Sequence, residues 1–459
     1  MQEGTLPAVH FVGIGGVGMS AIAAVMLDMG YAVSGSDIRP SFRTHRLARS
    51  GARVGIGHAP EHLDGAQTVV YNTAIPDNNC ELQLARERGL RVLHRAEMLA
   101  ELTADRQRIA VAGTHGKTTT SAMLSVIFVE AGLSPTFRVG GDIKRYGTNG
   151  RLGTGPHAIF EACESDGSFL RFLPCSQVIT NIEAEHLDVH GTMEGVVRLF
   201  HRFMSGAASD GFIVGCADCP NVARLMASLD RPCITYGLSS NAEYSARVHT
   251  INGRGASFEL LRGAESLGHV QLAIPGRHNV LNALAALAAS SACGIDIERA
   301  KRSLSHFTGA VRRFDVIAEA GGVLIVDDYG HHPTEIACTL EAARGGFGGR
   351  RIIVVFQPHL YSRTKIFLDR FAEVLARADH VILTDIYAAR EAWSGEVSGE
   401  DLWRAVSRHA PRVTAEYIPK KEDIAPRLRE LARSGDMIIT IGAGDVRDVA
   451  QELAGLLGG

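Results

Sequence analysis

Arg108-Ile-Ala-Val-Ala-Gly-Thr-His-Gly-Lys-Thr-Thr-Thr120 is the stretch on which the reading of this chain turns. A short buried strand, 108–112, runs into a glycine turn, and Gly-Lys-Thr then opens a long helix reaching about Ala131. In such a strand–turn–helix the backbone N–H groups and the helix N-terminus surround phosphate oxygens. Lys117 is placed to neutralise the β- and γ-phosphates, and the Thr118 hydroxyl to ligate Mg2+. Val111 stands where the full phosphate-loop pattern has its first glycine. Use of ATP is the expectation, with Gly113, Thr114, His115, Gly116, Lys117, Thr118 and Thr119 forming the cradle.

Strands and helices alternate on both sides of this loop. Upstream, Ala8–Val12, Tyr31–Ser36, Gln67–Tyr71 and Leu90–Leu93 read as strands, with helices over Val17–Met29 and Glu81–Arg88. The polar run Thr103–Gln107 reads as a linker. Downstream come strands at Ala158–Ala162 and Val178–Ile182, an alternating stretch over Tyr244–Ile274 and an alanine-rich helix over Asn279–Cys293. A third unit holds strands Val323–Asp327, Arg351–Phe356 and Met437–Ile441, a helix from Pro333 and a closing helix. Strands separated by helices imply parallel sheets with crossovers. The 459 residues exceed one ordinary core, so several α/β domains in series are expected.

Composition sets limits. A net charge of -3 gives no reason to expect nucleic acid or an acidic membrane surface as a partner. No stretch approaches the roughly 20 apolar residues of a membrane span. The N-terminus lacks the basic and apolar regions of a signal peptide. The 8 cysteines are scattered rather than bunched, which suits a reducing compartment, and a cytoplasmic protein is expected. Cys216-Ala-Asp-Cys219 has the C-x-x-C spacing, but no second pair lies near it to complete a zinc site.

Five further clusters carry chemistry. Gly13-Ile-Gly-Gly-Val-Gly18 follows the first strand, and Asp37 ends the next. That is the placement of a dinucleotide fingerprint, whose glycines let a pyrophosphate approach a helix N-terminus. A nicotinamide cofactor and a diphosphate-bearing substrate both fit it. Glu161-Ala-Cys-Glu-Ser-Asp166 and Asn181-Ile-Glu-Ala-Glu-His-Leu-Asp188 follow central strands. Carboxylates there can hold a metal that bridges phosphate oxygens; helix caps and solvated turns are the plain alternative. In Gly276-Arg-His-Asn-Val-Leu-Asn282 the asparagine amides suit an adenine edge, while Asn279 is equally an N-cap candidate. Asp327-Asp-Tyr-Gly-His-His-Pro333 and Gln357-Pro-His-Leu-Tyr-Ser-Arg-Thr364 end strands of the third unit. With Arg312-Arg313 upstream they suit a small anion met by Arg363.

In this order GIGGVGMSAIA, GTHGKTTT, EACESDGSF, NIEAEHLD, GRHNVLNALAA, VRRFD, DDYGHHPTE, QPHLYSRT and IGAGDV resemble the Mur ligase family, and its alanine-adding branch in particular. The resemblance runs nearly end to end. It implies an α/β fold of three domains: a Rossmann-like domain for UDP-N-acetylmuramate (1–104), a central P-loop-type ATPase with a mixed sheet (105–310) and a Rossmann-like domain for the amino acid (311–459). It implies an ATP-dependent ligase that joins L-alanine to the lactyl carboxylate of UDP-N-acetylmuramate. The carboxylate attacks the γ-phosphate, the acyl phosphate so formed is attacked by the amine, and ADP and phosphate leave. This is a step of cell-wall precursor synthesis.

Carried over motif by motif, Lys117 holds phosphates, Thr118 and Glu164 bind Mg2+, and His186 binds a second ion, with Mn2+ able to substitute. Asn279 and Asn282 fall on the adenine side, Arg313 and Asp327 on the ribose or γ-phosphate side. Gly15, Gly16, Met19, Ser20, Asp37 and Asn72 fall on the UDP-sugar side. Tyr329, His331, His359 and Arg363 fall at the alanine and acyl-phosphate end, where His331 or His359 takes the amine proton. Cys163 replaces the aspartate usual in EADES, and Leu360 replaces an arginine found in some relatives. No lysine occurs between Lys144 and Lys301, so the carbamoylated lysine of sister ligases has no counterpart. A monomer or homodimer is expected, without nucleic-acid or membrane partners. The rival readings are the ligase that joins a whole tripeptide to the same sugar and, from another class, an NAD-binding oxidoreductase or regulator.

Overall fold

Three sheets account for the alternation of strands and helices. The computed structural model describes residues 6–172, 174–239, 241–253, 255–389, 391–393 and 395–458. The chain divides into two compact units: Met1–Arg247 with Leu260–Gly268 and Leu281–Ser305, and Val248–Glu259 with His269–Val280 and His306–Gly459.

The N-terminal sheet has five parallel strands in the order Arg53–Ile56, Val33–Asp37, Val9–Val12, Thr68–Tyr71, Arg91–His94. The first strand in sequence is the middle one, so the chain winds off in both directions from it. The crevice at its C-terminal end is where such sheets bind ligands, and Gly13–Gly18 lies there. Helix Val17–Asp28 packs Met19, Ile22, Ala23 and Met26 against Phe11, Ile14 and Val33. That spacing is one face of a 3.6-residue period.

In the central sheet the order is Glu265–Leu272, Gly255–Arg262, Tyr244–Asn252, Ile234–Gly237, Ile213–Cys216, Ser176–Ile179, Gln107–Ala112, His157–Glu161, Thr136–Ile143, Thr148–Arg151. Gln107–Ala112 pairs in parallel on both sides, which explains its unbroken apolar run. The last two strands pair antiparallel, so the sheet is mixed. Helix Lys117–Glu130 is buried from Thr118 to Phe128, and its lack of an amphipathic stripe follows.

The C-terminal sheet runs Asp315–Ala320, Val323–Asp328, Met437–Ile441, Ile352–Phe356, His380–Leu383, Thr414–Tyr417. Its first pair is antiparallel and the others parallel. Three parallel neighbours therefore end at one edge, where the loops after Asp328, Phe356 and Ile441 meet.

Several elements differ from the sequence reading. Helix Phe42–Arg49, strand Arg53–Ile56, helix Arg95–Leu102 and strands Thr136–Ile143 and Thr148–Arg151 are additional. The supposed linker from Thr103 is a helix end: Thr103 is fully buried and its hydroxyl donates to Leu99 O at 2.7 Å, while Gln107 already belongs to a strand. Helix Arg277–Ala292 starts before Asn279, so that residue lies inside the first turn and is not the N-cap. All 8 cysteines carry free thiols. Among the described residues no helix is long and apolar enough to cross a membrane.

Candidate active site

The phosphate loop is shaped by two glycines in the left-handed region, Gly113 at φ +138° and Gly116 at φ +80°. A Cβ at Gly113 would overlap the Thr180 hydroxyl, and one at Gly116 would come 2.5 Å from Asn282 Oδ1. A side chain is therefore excluded at both positions twice over, by φ and by space. Asn181 fastens the loop from the neighbouring strand end. Its carbonyl accepts from Thr114 N at 2.9 Å and its Oδ1 from His115 N at 2.8 Å. Thr114 Oγ1 accepts in turn from Glu183 N, and His115 Nε2 lies 3.5 Å from a Glu183 carboxylate oxygen. Thr119 is buried in the first turn of the helix.

Lys117 donates to the carbonyls of Gly113 and Thr114 and pairs with Glu164 at 3.0 Å. Burial works most strongly against its charge, but Glu164, Cys163 and Glu161 together outweigh it and hold the ammonium above the ordinary lysine pKa. For Glu164, 1 % exposed, burial wins over Lys117 and pushes the carboxyl above its usual range, and nearby Glu185 adds to the rise. The Thr118 hydroxyl donates to Glu161 Oε2 at 2.8 Å.

Glu161 is a residue the sequence reading quoted in its motif but did not single out. It ends the strand beside the loop strand, and Gly140 leaves room for it: a Cβ there would overlap the carboxylate. His190, two residues beyond the Asn181–Asp188 motif, has its Nε2 2.9 Å from Glu164 O and fixes that backbone. His186 occupies the left-handed region at φ 54°, rare for a residue with a side chain. Its Nε2 lies 4.0 Å from a Glu185 oxygen. The Thr118 hydroxyl with Glu161, and Glu164 beside Lys117, supply hard oxygens of the kind Mg2+ takes.

The UDP-sugar candidates separate into surface and core. Gly16 is exposed and begins the first helix without a side-chain cap. Asp37 accepts from Gly15 N at 2.8 Å, so its carboxylate shapes the glycine loop. Asn72 accepts from Ala74 N at 2.8 Å and stays at the turn after its strand. Met19 is buried in the core, and Ser20, fully buried, donates to Val17 O. Helical periodicity turns both side chains inward, so neither is placed to meet a ligand with its side chain.

Asn282 is engaged with the phosphate loop, accepting from the Thr120 hydroxyl at 3.2 Å. Asn279 donates to Pro275 O at 2.6 Å and latches the turn before its helix. Neither amide is presented simply as an adenine reader.

In the second unit Asp327, fully buried, is met by Arg312 at 3.2 Å, Arg447 at 3.1 Å and the Thr440 hydroxyl at 2.8 Å. Arg312 also donates to Gly442 O and Gly444 O. Gln357 accepts from Asp445 N and Val446 N. These contacts explain VRRFD, the first aspartate of DDYGHHPTE, the glutamine of QPHLYSRT and IGAGDV as one brace across three strand ends. Asp327 thus departs from a ribose or phosphate role: its oxygens are spent inside the fold.

The residues left facing one another are those expected at the amino-acid end. Arg312 and Arg313 lie 4.9 Å and 5.2 Å from the Tyr329 ring centre, a cation–π arrangement. His331 packs edge-on to Tyr329 and 6.0 Å from His359. Arg363, 6 % exposed, donates to His359 O at 3.1 Å and lies 3.2 Å from its Nδ1. His332, next to His331, instead caps helix Pro333–Gly346. Tyr387, not singled out from sequence, stacks on His359 at 5.7 Å, and its carbonyl accepts from Leu360 N. That bond holds Leu360 at φ 71°, ψ 135°, a conformation that costs about 1–3 kcal/mol for a residue with a Cβ.

Comparison with known proteins agrees with this arrangement. Three family models match in series: the Mur ligase catalytic domain over residues 8–107, the Mur ligase middle domain over 111–290 and the Mur ligase glutamate ligase domain over 312–444. A UDP-N-acetylmuramate--L-alanine ligase of Pelotomaculum thermopropionicum is 44% identical over 97% of this chain and 96% of its own length. The crystal structure of a UDP-N-acetylmuramate-alanine ligase from Thermotoga maritima superposes with a TM-score of 0.84 at 27% identity, covering 98% of both chains. A murein peptide ligase from Psychrobacter arcticus gives 0.74 at 25% identity, covering 98% of this chain and 99% of that one. The chain belongs to the Mur ligase family, with that family's three-domain α/β architecture.

Proposed function

We propose that this chain joins L-alanine to the lactyl carboxylate of UDP-N-acetylmuramate, converting ATP to ADP and phosphate through an acyl phosphate. The observation that carries the reading is the Lys117–Glu164 pair beside the Thr118–Glu161 contact. A cation and a hard-oxygen donor set meet at the mouth of a phosphate loop, which is the equipment of phosphoryl transfer rather than of hydride transfer. Asp37, tied to Gly15 N, speaks against an NAD site, where the acidic residue faces a ribose hydroxyl. The third-unit loop QPHLYSRT and the identity to the alanine-adding relative favour alanine over a tripeptide.

Each group then has a task. The loop N–H groups and Lys117 hold and neutralise ATP phosphates, so that an anionic carboxylate can approach the γ-phosphate. Thr118, Glu161 and Glu164 would hold Mg2+, with His186 at a second ion, and the metal supplies charge neutralisation on phosphate oxygens. Arg363 meets the alanine carboxylate, and His331 or His359 takes the amine proton. The protein mainly positions reactants and offsets charge. The domain limits follow as 1–104, 105–310 and 311–459, and the enzyme works in the cytoplasm as a monomer or homodimer.

The test is phosphate release with UDP-N-acetylmuramate and Mg2+-ATP, supplying alanine, serine, glycine and a tripeptide in turn. Release with alanine is the expected result. Release with the tripeptide alone would move the chain to the peptide-adding branch, and release with none would end the ligase reading.

A further inference from the structure

Strand Thr136–Ile143 carries a charged residue that the mechanism above does not use. Arg138 is 6 % exposed and lines a small cleft with Arg95, Ile22, Phe160, Glu161 and Cys163. Both guanidinium groups converge on the start of the first helix. A Cβ added at Gly18 would overlap Arg138 Nη2 and come 3.1 Å from Arg95 Nη1. That helix has no side-chain cap and no acidic residue in its first turn, so three sources of positive potential face one space. Asp166, 3.9 Å from Arg95, offsets only part of it.

The hydrogen bonding of Arg138 indicates the shape of the missing partner. Its Nη1 donates to Glu161 O at 2.7 Å, while its Nε is buried without a hydrogen-bond partner among the described residues. What remains is the Nε–Nη2 edge, the side of the fork that takes a carboxylate bidentately. The location is equally specific. Glu161, whose carbonyl holds Arg138, accepts through its side chain from Thr118 of the phosphate loop. A group on the free edge of Arg138 therefore lies between the Gly13–Gly18 loop and the γ-phosphate end of the ATP loop.

We propose that Arg138, assisted by Arg95, is the positioning residue for the lactyl carboxylate of the UDP-sugar. It holds the nucleophile beside Thr118 and offsets the repulsion between that carboxylate and the γ-phosphate. The proposal rests on the ligase reading above. It assigns the two arginines to the carboxylate and leaves the diphosphate to the glycine loop.

Calorimetric titration of wild type, Arg138→Met, Arg138→Lys and Arg95→Met with three ligands tests it: UDP-N-acetylmuramate, UDP-N-acetylglucosamine, which lacks the lactyl group, and UDP. Wild type should prefer the muramate. Arg138→Met should lose about 10–100-fold in affinity for that ligand alone, leaving the other two unchanged, with Arg138→Lys and Arg95→Met in between. A matching rise in KM for the muramate is expected, with KM for ATP unchanged. An unchanged preference for the muramate would overturn the proposal. So would an equal loss for all three ligands, which would assign Arg138 to the diphosphate. If Arg138→Met does not fold, the same comparison on Arg138→Lys and Arg95→Met decides. Failure of wild type to bind the muramate while binding ATP would instead overturn the ligase reading itself.

Discussion

Two buried ion clusters in this molecule look alike in sequence and differ in kind. At the phosphate loop Lys117 faces Glu164, and the lysine is otherwise held by loop carbonyls. In the C-terminal sheet Asp327 faces Arg312 and Arg447, with Thr440 completing its shell. Both carboxyls are pushed up by burial. The difference is what the partners can exchange. Lys117 sits at a glycine turn where phosphate oxygens can replace its present partners. Arg312 is bonded to Gly442 O and Gly444 O as well and has nowhere to go. A motif residue is functional when its partners are replaceable and structural when they are complete.

This contrast can be broken experimentally. Asp327→Asn removes the carboxylate shared by Arg312 and Arg447, which keep Gly442 O, Gly444 O and Asp315 as partners, and should cost about 1–3 kcal/mol of stability, read from denaturant midpoints. Residual folded enzyme should keep its KM for alanine; a large KM change at unchanged stability would make Asp327 a ligand residue after all. Lys117→Ala should do the reverse, lowering kcat by about 10²–10³ while the UDP-sugar still binds. If UDP-sugar affinity vanished as well, the two nucleotide sites would not be separate.

Glu161→Gln sharpens the contrast further. It keeps a hydrogen bond to Thr118 but removes a charge, and should raise the Mg2+ concentration needed for half-maximal rate by about 10–100-fold. An unchanged Mg2+ requirement would remove Glu161 from the donor set.

The smallest effect concerns a cluster that is structural by the same criterion. Glu81, fully buried, accepts from Ser36 and lies 2.9 Å from His62 Nδ1 and 3.5 Å from His10 Nε2. Burial alone would raise its pKa, but these hydrogen bonds prevail and hold it at about 2. A carboxyl lowered in the folded state gives stability that is complete above its unfolded value, about 4.3, and lost as pH falls towards 2. The melting temperature of wild type minus that of Glu81→Gln should therefore be constant from pH 7 to 5 and shrink below about 4.5. A difference independent of pH would show that the charge of Glu81 contributes nothing.

Legibility followed the range of the interactions. Helix Phe42–Arg49 went unread because FRTHRLAR buries only Thr44 and Leu47, and its start is fixed by a capping box between Ser41 and Thr44. Strand Thr136–Ile143 went unread because Gly140-Gly141 interrupts its alternation. With it went Arg138, whose meaning depends on Gly18, 120 positions earlier in the chain. The family motif places Met19 and Ser20 on the UDP-sugar side, whereas packing of the first helix turns their side chains inward.

By itself, then, the sequence determined the series of α/β units, the phosphate loop and the place of its lysine, because these depend on residues adjacent along the chain: a strand, a glycine turn and a helix start. Tertiary structure decided which charged side chains are spent inside the fold and which are left to bind. That choice depends on partners from distant strands, as when Arg447 completes the shell of Asp327 and no described residue completes that of Arg138 Nε.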